Sequence, residues 1–274
     1  MRRYLLENKV KIVVATHKAY AMPTDEMYIP IHVGATLHPD LDLGYQKDNV
    51  GDNISEKNDS YSELTGLYWA WKNLDAPYIG LAHYRRHFGA KHHHGKNRMD
   101  WIIKSDELLP LLDDYDIILP KKRHYYIESL YSHYKHTHYA NQLDATREVI
   151  SELYPDYLDT YDQALAQTSG YMFNMVVMKK ELLDQYCTWL FNILFALEKK
   201  MGSEKLSSFQ QRFYGRVSEI IFNVWLQQQI KLGTISPDRI KELPLVYVEG
   251  VNWWKKGVAF LKAKFFHKRY ENSF

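Results

Sequence analysis

The sequence predicts an α/β fold, with a mixed or mainly parallel sheet and a helical insertion. Three observations predict it. The continuous run Ile12-Val13-Val14-Ala15 gives way at once to polar Thr16-His17-Lys18, as a buried first strand does when it opens onto a loop. Further short apolar runs, at 78–82, 116–120, 172–178 and 245–248, are separated by helical periodicities. No internal repeat and no clear linker divides the chain. One domain, residues 1–252, is therefore expected, followed by a basic, aromatic C-terminal tail at 253–274.

Taken in order, residues 11–16 form the first strand, and such a start is common in nucleotide-binding α/β domains. Residues 29–35 form a second, weakened by Pro30. Residues 37–60 hold Pro, Gly, Asp and Asn without periodicity and read as a long loop of the functional or disordered kind. Ser60 and Glu63 stand at capping-box spacing ahead of a helix in which Tyr61, Leu64, Tyr68 and Trp71 recur at helical intervals. Strand 78–82 then ends in His83-Tyr84-Arg85-Arg86. Residues 101–112 read as a helix, 116–120 as a strand, 125–168 as helices and 172–178 as a strand. A long amphipathic helix at 180–199, a helix at about 217–229 and a late strand at 245–248 complete the order.

The bulk numbers fit a globular protein with a sizeable core: 274 residues, 46% hydrophobic and 25% charged. A net charge of +2 sets up no field for nucleic acid. Tyr, Phe and Trp number 22, 11 and 7; such rings suit sugars and bases, and equally a Tyr-rich core. The single cysteine, Cys187, lies in an apolar stretch as a buried, inert thiol, and that usage fits a reducing compartment. Residues 1–10 are too polar for a signal peptide, and no run reaches the length of a membrane span. The expectation is a cytoplasmic protein.

Several stretches could carry chemistry. Ligands of open α/β sheets sit beyond the carboxyl ends of strands, so Arg85 and Arg86 could set a planar guanidinium on a diphosphate; surface salt bridges are the alternative. Asp52 and Asn53, before the aromatic helix, could hold ribose or sugar hydroxyls, or simply close a turn. His133, His136 and His138 have spacing that could bind zinc, but no Cys or carboxylate cluster adjoins them and Lys135 lies among them. Histidines that hydrogen-bond substrate oxygens are the better reading. His92-His93-His94 lies in a polar loop. Glu219, at a predicted helix start, could be a general base or only complement the macrodipole. The tail mixes basic residues with Trp253, Trp254, Phe260, Phe265 and Phe266, either for an anionic membrane surface or for packing.

Several of these stretches in one order resemble a bacterial glycosyltransferase family of capsular and exopolysaccharide gene clusters, long labelled a domain of unknown function. The carriers are Val14-Ala15-Thr16-His17-Lys18, Tyr28-Ile29-Pro30-Ile31-His32-Val33-Gly34-Ala35, Gly51-Asp52-Asn53-Ile54-Ser55 and Glu63-Leu64-Thr65. They continue through Tyr68-Trp69-Ala70-Trp71-Lys72-Asn73, His83-Tyr84-Arg85-Arg86, Leu119-Pro120-Lys121-Lys122-Arg123 and Tyr131-Ser132-His133-Tyr134.

The resemblance implies a GT-A-like, nucleotide-sugar-binding α/β sandwich. It implies transfer of a sugar, galactose in pyranose or furanose form, from a nucleoside-diphosphate (UDP) donor to a glycan or lipid-linked acceptor. Thr16, His17, Asp52, Asn53, His83 and Tyr84 would then contact the donor, and Asn174, His133 and His136 the acceptor. Glu219 would be the base of an inverting reaction. That fold usually holds Mn²⁺ or Mg²⁺ on an Asp-x-Asp motif at the strand end where this chain has His83-Tyr84-Arg85. Metal use is thereby left open, and Arg85 or Arg86 would take over the metal's charge. A non-catalytic glycan-binding protein and a histidine–metal hydrolase are the rival readings.

Overall fold

A computed structural model describes residues 9–92, 95–202 and 206–250. The tail at 253–274 and His93-His94 lie outside the described residues. The chain divides into two compact units, the second formed by Lys122–Met172 and Trp189–Thr234 among the described residues.

The first unit is built on a mixed sheet. Strands β1 (Val10–Thr16), β2 (Tyr28–His32) and β3 (Gln46–Lys47) run parallel, with β1 in the middle of the ladder between β2 and β4 (Tyr78–His83). β1 is buried along almost its whole length, as expected for a parallel strand covered on both faces. Pro30 is tolerated because β3 pairs only with Ile31 and His32, so the proline lies past the end of that neighbour.

The 37–60 segment is less irregular than its composition implies. It contains β3, a 3₁₀ turn at Ser55–Lys57 and the one-turn α1 (Asn58–Tyr61). Ser62 then takes a positive φ of 52° and breaks the helix, so that α2 (Leu64–Asn73) starts afresh behind Glu63. The expected Ser60–Glu63 capping box does not form. Ser60 lies inside α1 and its hydroxyl donates to the Lys57 carbonyl.

After β4 the chain turns straight into β5 (Arg86–Phe88). A 3₁₀ turn at Arg98–Trp101 and α3 (Ser105–Asp114) replace the single helix expected over 101–112. The Asp25 carboxylate holds the start of α3, accepting from the Ser105 amide and hydroxyl. β6 (Ile117–Pro120) follows; with β9 (Val176–Lys179) and β10 (Ile240–Leu243) from later in the chain, the sheet order is β10-β6-β9-β4-β1-β2-β3, and β9 is antiparallel to both its neighbours. Val10, Ile12, Val14, Tyr78, Ile118, Val177 and Leu243 join Ile102, Leu108 and Leu112 in one buried cluster.

In the second unit, β7 (Arg123–His124) pairs with β8 (Ser169–Gly170). Between them lie α4 (Leu130–Thr137), α5 (Ala140–Leu153) and α6 (Leu158–Ala166), as the periodicity of 125–168 predicts. β9 (Val176–Lys179) leads into α7 (Lys180–Met201), where Leu183, Cys187, Leu190, Leu194 and Leu197 make a buried stripe at helical spacing. α8 (Ser208–Gln211) precedes α9 (Phe213–Lys231), which buries Val217, Ile221 and Trp225. β10 (Ile240–Leu243) and β11 (Leu245–Tyr247) complete the sheet of the first unit. The architecture is α/β with a mixed central sheet and helices, the class the sequence predicts. No helix among the described residues is long and apolar enough to cross a membrane.

Candidate functional site

The carboxyl ends of β1, β2 and β4 lie at one level: Thr16 pairs with His32, and Ala15 with His83. Beyond them, His83 pairs with Arg86 across an antiparallel hairpin, which leaves Tyr84 and Arg85 as its turn. The expected strand end is thus the tip of a hairpin. The Tyr84 amide donates to the Ala15 carbonyl and the Val248 amide to the Arg85 carbonyl, so the tip is pinned on two sides.

Tyr84 is the floor of the site. His17 meets its ring edge-on with centroids 5.5 Å apart, and Tyr20 does so at 4.9 Å. Two cations lie over the same ring, Lys18 Nζ at 5.3 Å and Arg85 Cζ at 5.2 Å from its centre, within cation–π range. Glu249 borders this pair. It stands 3.7 Å from the Arg85 guanidinium and accepts the Tyr20 hydroxyl at 2.8 Å. Burial, aided by that carboxylate, pushes the Tyr20 phenol up to about 12, so it stays a hydrogen-bond donor.

Arg86 points elsewhere. Its guanidinium carbon lies 4.6 Å from the centre of the Phe173 ring and 5.8 Å from that of Tyr247, and its Nε is buried without a hydrogen-bond partner. Phe173 and Asn174 do not continue a strand, contrary to the pattern of 172–178. Both have left-handed backbones, at φ 76° and 53°, and β9 begins only at Val176. A non-glycine, bulky residue in that region carries strain of about 1–3 kcal/mol and needs anchoring. Two anchors are present. The Phe173 carbonyl accepts from His83 Nε2 at 2.5 Å, and the Asn174 amide donates to Glu63 Oε1 at 2.6 Å. Desolvation lowers the His83 pKa, so the ring is neutral; with its proton on Nε2, Nδ1 is the accepting nitrogen.

Three of the other predicted donor residues, Thr16, Asp52 and Asn53, spend their groups locally. The Thr16 hydroxyl closes a turn, donating to the Lys18 carbonyl and accepting its amide. Asp52 accepts from the Tyr68 hydroxyl, and Asn53 bridges the Gly51 carbonyl and the Ser55 amide. These are the turn roles that the composition allowed. The carboxylate that organises this region is Asp48, fully buried and accepting from the Gly34 and Ala35 amides and the Ser55 and Thr65 hydroxyls. Nothing in its sequence context signals four donors.

In the second unit, buried Glu128 accepts from both His133 Nδ1 at 3.1 Å and His136 Nδ1 at 2.6 Å. His138 turns to Gln210 instead, at 3.2 Å. Burial first, and Arg123 next, push His133 down to about 4; burial and Arg216 push His138 down to about 3. Glu219 sits six residues past Phe213, well inside α9, so the macrodipole argument drops away. Its carbonyl accepts from the Asn223 side chain.

Neither place fits a hard divalent cation. At the β4 end the hairpin tip itself supplies two guanidinium groups, a phenol and an imidazole committed to a carbonyl. The carboxylates that border it are engaged, Glu249 by Arg85 and Tyr20 and Glu63 by Asn174, whereas Mg²⁺ or Mn²⁺ would need several converging carboxylate oxygens. The three histidines divide between two different partners, and no cluster of three or more His, Cys, Asp or Glu able to hold a metal occurs among the described residues.

Among solved structures, the apo structure of WbbM, a bifunctional glycosyltransferase, is similar over 89% of this chain, with 30% identity and a TM-score of 0.78. This chain spans 46% of that one. No curated protein matches. A family model described as a domain of unknown function, DUF4422, matches residues 11–230 of the 274, and the chain therefore belongs to that family.

Proposed function

We propose that this protein is a glycosyltransferase that moves a sugar, galactose in pyranose or furanose form, from a UDP donor to a glycan or lipid-linked acceptor of the bacterial cell surface. The observation that carries the reading is the cationic aromatic platform at the carboxyl ends of β1 and β4. Lys18 and Arg85 flank the Tyr84 ring, and Arg86 has a buried, unpartnered Nε. Cations gathered against an aromatic face can offset the charge that develops on a departing diphosphate. The likeness to a glycosyltransferase structure supports the same class.

In this reading the acceptor hydroxyl attacks the anomeric carbon as the bond to the diphosphate oxygen breaks. Arg85 and Arg86 take the charge of the leaving group in place of a metal. Glu219 removes the hydroxyl proton, making the reaction inverting. Thr16, His17, Asp52, Asn53, His83 and Tyr84 belong to the donor side, and Asn174, His133 and His136 to the acceptor side. Residues 1–252 act as one transferase domain in the cytoplasm, and the tail at 253–274 holds it against the anionic inner face of the membrane.

The test is a donor screen that reads nucleotide release from a set of sugar nucleotides, with and without EDTA. UDP-galactose turnover that survives EDTA and falls sharply in Glu219→Gln is expected. Loss of all activity on EDTA treatment with recovery on Mn²⁺ overturns the metal-free role of the arginines. Absence of UDP binding at millimolar concentration overturns the enzyme reading in favour of glycan binding.

A further inference from the structure

We propose that Glu63 and His83 form the pocket for the donor's sugar ring, with Glu63 as the residue that recognises its hydroxyls. This rests on the glycosyltransferase reading and extends it to a residue that the sequence pattern assigned only to a helix cap. Four observations converge on the first unit. Glu63 precedes α2 behind the positive-φ break at Ser62, which separates it from α1. One of its oxygens takes the Asn174 amide at 2.6 Å, which fixes the side chain and leaves the second oxygen as a charged acceptor. His83 gives its Nε2 proton to the Phe173 carbonyl, so its Nδ1 is a second acceptor. The turn joining these two anchors is two consecutive left-handed residues, Phe173 and Asn174, and the Phe173 ring carries Arg86.

Strained backbone of this kind persists where the surroundings over-determine it, and it clusters at ligand sites. Here one short turn, Phe173-Asn174, is met by a carboxylate, a neutral imidazole and a guanidinium from three other stretches of the chain. A diphosphate offers only acceptors, so the guanidinium suits it and the two acceptors do not. A hexose offers hydroxyl donors, and it is attached to that diphosphate. A carboxylate beside the arginine is therefore matched to the sugar.

Titration calorimetry with UDP and with UDP-galactose, on the wild-type chain and on Glu63→Gln, separates the contributions. The amide side chain keeps an oxygen for Asn174 but removes the charged acceptor. A hydrogen bond to a charged group corresponds to about tenfold to hundredfold in binding. The expected result is a UDP Kd changed by less than about twofold and a UDP-galactose Kd raised about tenfold or more. An unchanged Kd for both ligands, or an equal rise for both, overturns the assignment. Wild-type protein that binds neither ligand overturns the glycosyltransferase reading itself, and this inference with it. If Glu63→Gln does not fold, the same comparison is made on Asn174→Ala, which frees the carboxylate; selective weakening of UDP-galactose supports the pocket, and an equal effect on both ligands overturns it.

Discussion

Arg86 lies against two aromatic rings with its Nε out of solvent and unbonded. A guanidinium stacked in this way is desolvated on its faces yet keeps in-plane donors for an anion, a geometry that a lysine cannot reproduce. Arg86→Ala is expected to lower kcat by about 10²-fold, with Arg86→Lys restoring only a small part. Steady-state rates at saturating donor check this; an alanine variant within twofold of wild type removes Arg86 from the charge-stabilising role. The Arg pair itself was legible from the sequence, since it follows an apolar strand directly. Its division of labour was not. Arg85 lies over Tyr84 beside Glu249, whereas Arg86 turns to Phe173, and both choices depend on residues far along the chain.

At the scale of elements, β4 and β9 pack closely at Gly80. A Cβ added at Gly80 would stand 2.6 Å from Val177 Cγ2 and 2.7 Å from the Val176 carbonyl oxygen. The carbonyl belongs to a paired strand and cannot rotate away. Gly80→Ala is therefore expected to destabilise the protein by about 1–3 kcal/mol, read by urea unfolding; a change under about 0.5 kcal/mol contradicts the packing. Long elements with clear periodicity, such as α7 and α9, were legible in the sequence to within a few residues. Some short ones were not. β5 and β10 have three and four residues, too few to show alternation, and they are defined by pairing: β5 with β11 and the last residue of β4, β10 with β6. The Ser60–Glu63 spacing matched a capping box, but Ser62 took a conformation that no local rule predicts.

For the whole molecule, the buried histidines set the pH response. His87 and His133 are held near 4, mainly by burial, and His138 near 3, while in the unfolded chain each titrates near 6.5. Between these values the unfolded state binds more protons, so stability rises with pH through the window and is lost as pH falls from about 6.5 toward 4. A shift of this size corresponds to about 3 kcal/mol for each of His87 and His133. Asp116 and Asp162, whose pKa values are lowered by Arg239 and Arg147, lose their contribution only at lower pH and do not confuse the comparison. Denaturant unfolding at pH 7.5 and pH 5 is expected to show a lower free energy at pH 5. Equal values at the two pH conditions mean that these rings are not buried in neutral form.

The sequence by itself determined the α/β class, the order of the main strands and helices, and the strand end at His83-Tyr84-Arg85-Arg86. Those features come from the periodicity and abrupt endings of local segments, which depend on neighbours a few residues away. Tertiary structure alone decided that this segment is a hairpin tip, that Phe173 and Asn174 turn left-handed, and that Glu63 meets Asn174. The last two residues are 111 positions apart, and a bond over that distance exists only once the sheet has set β4 beside β9.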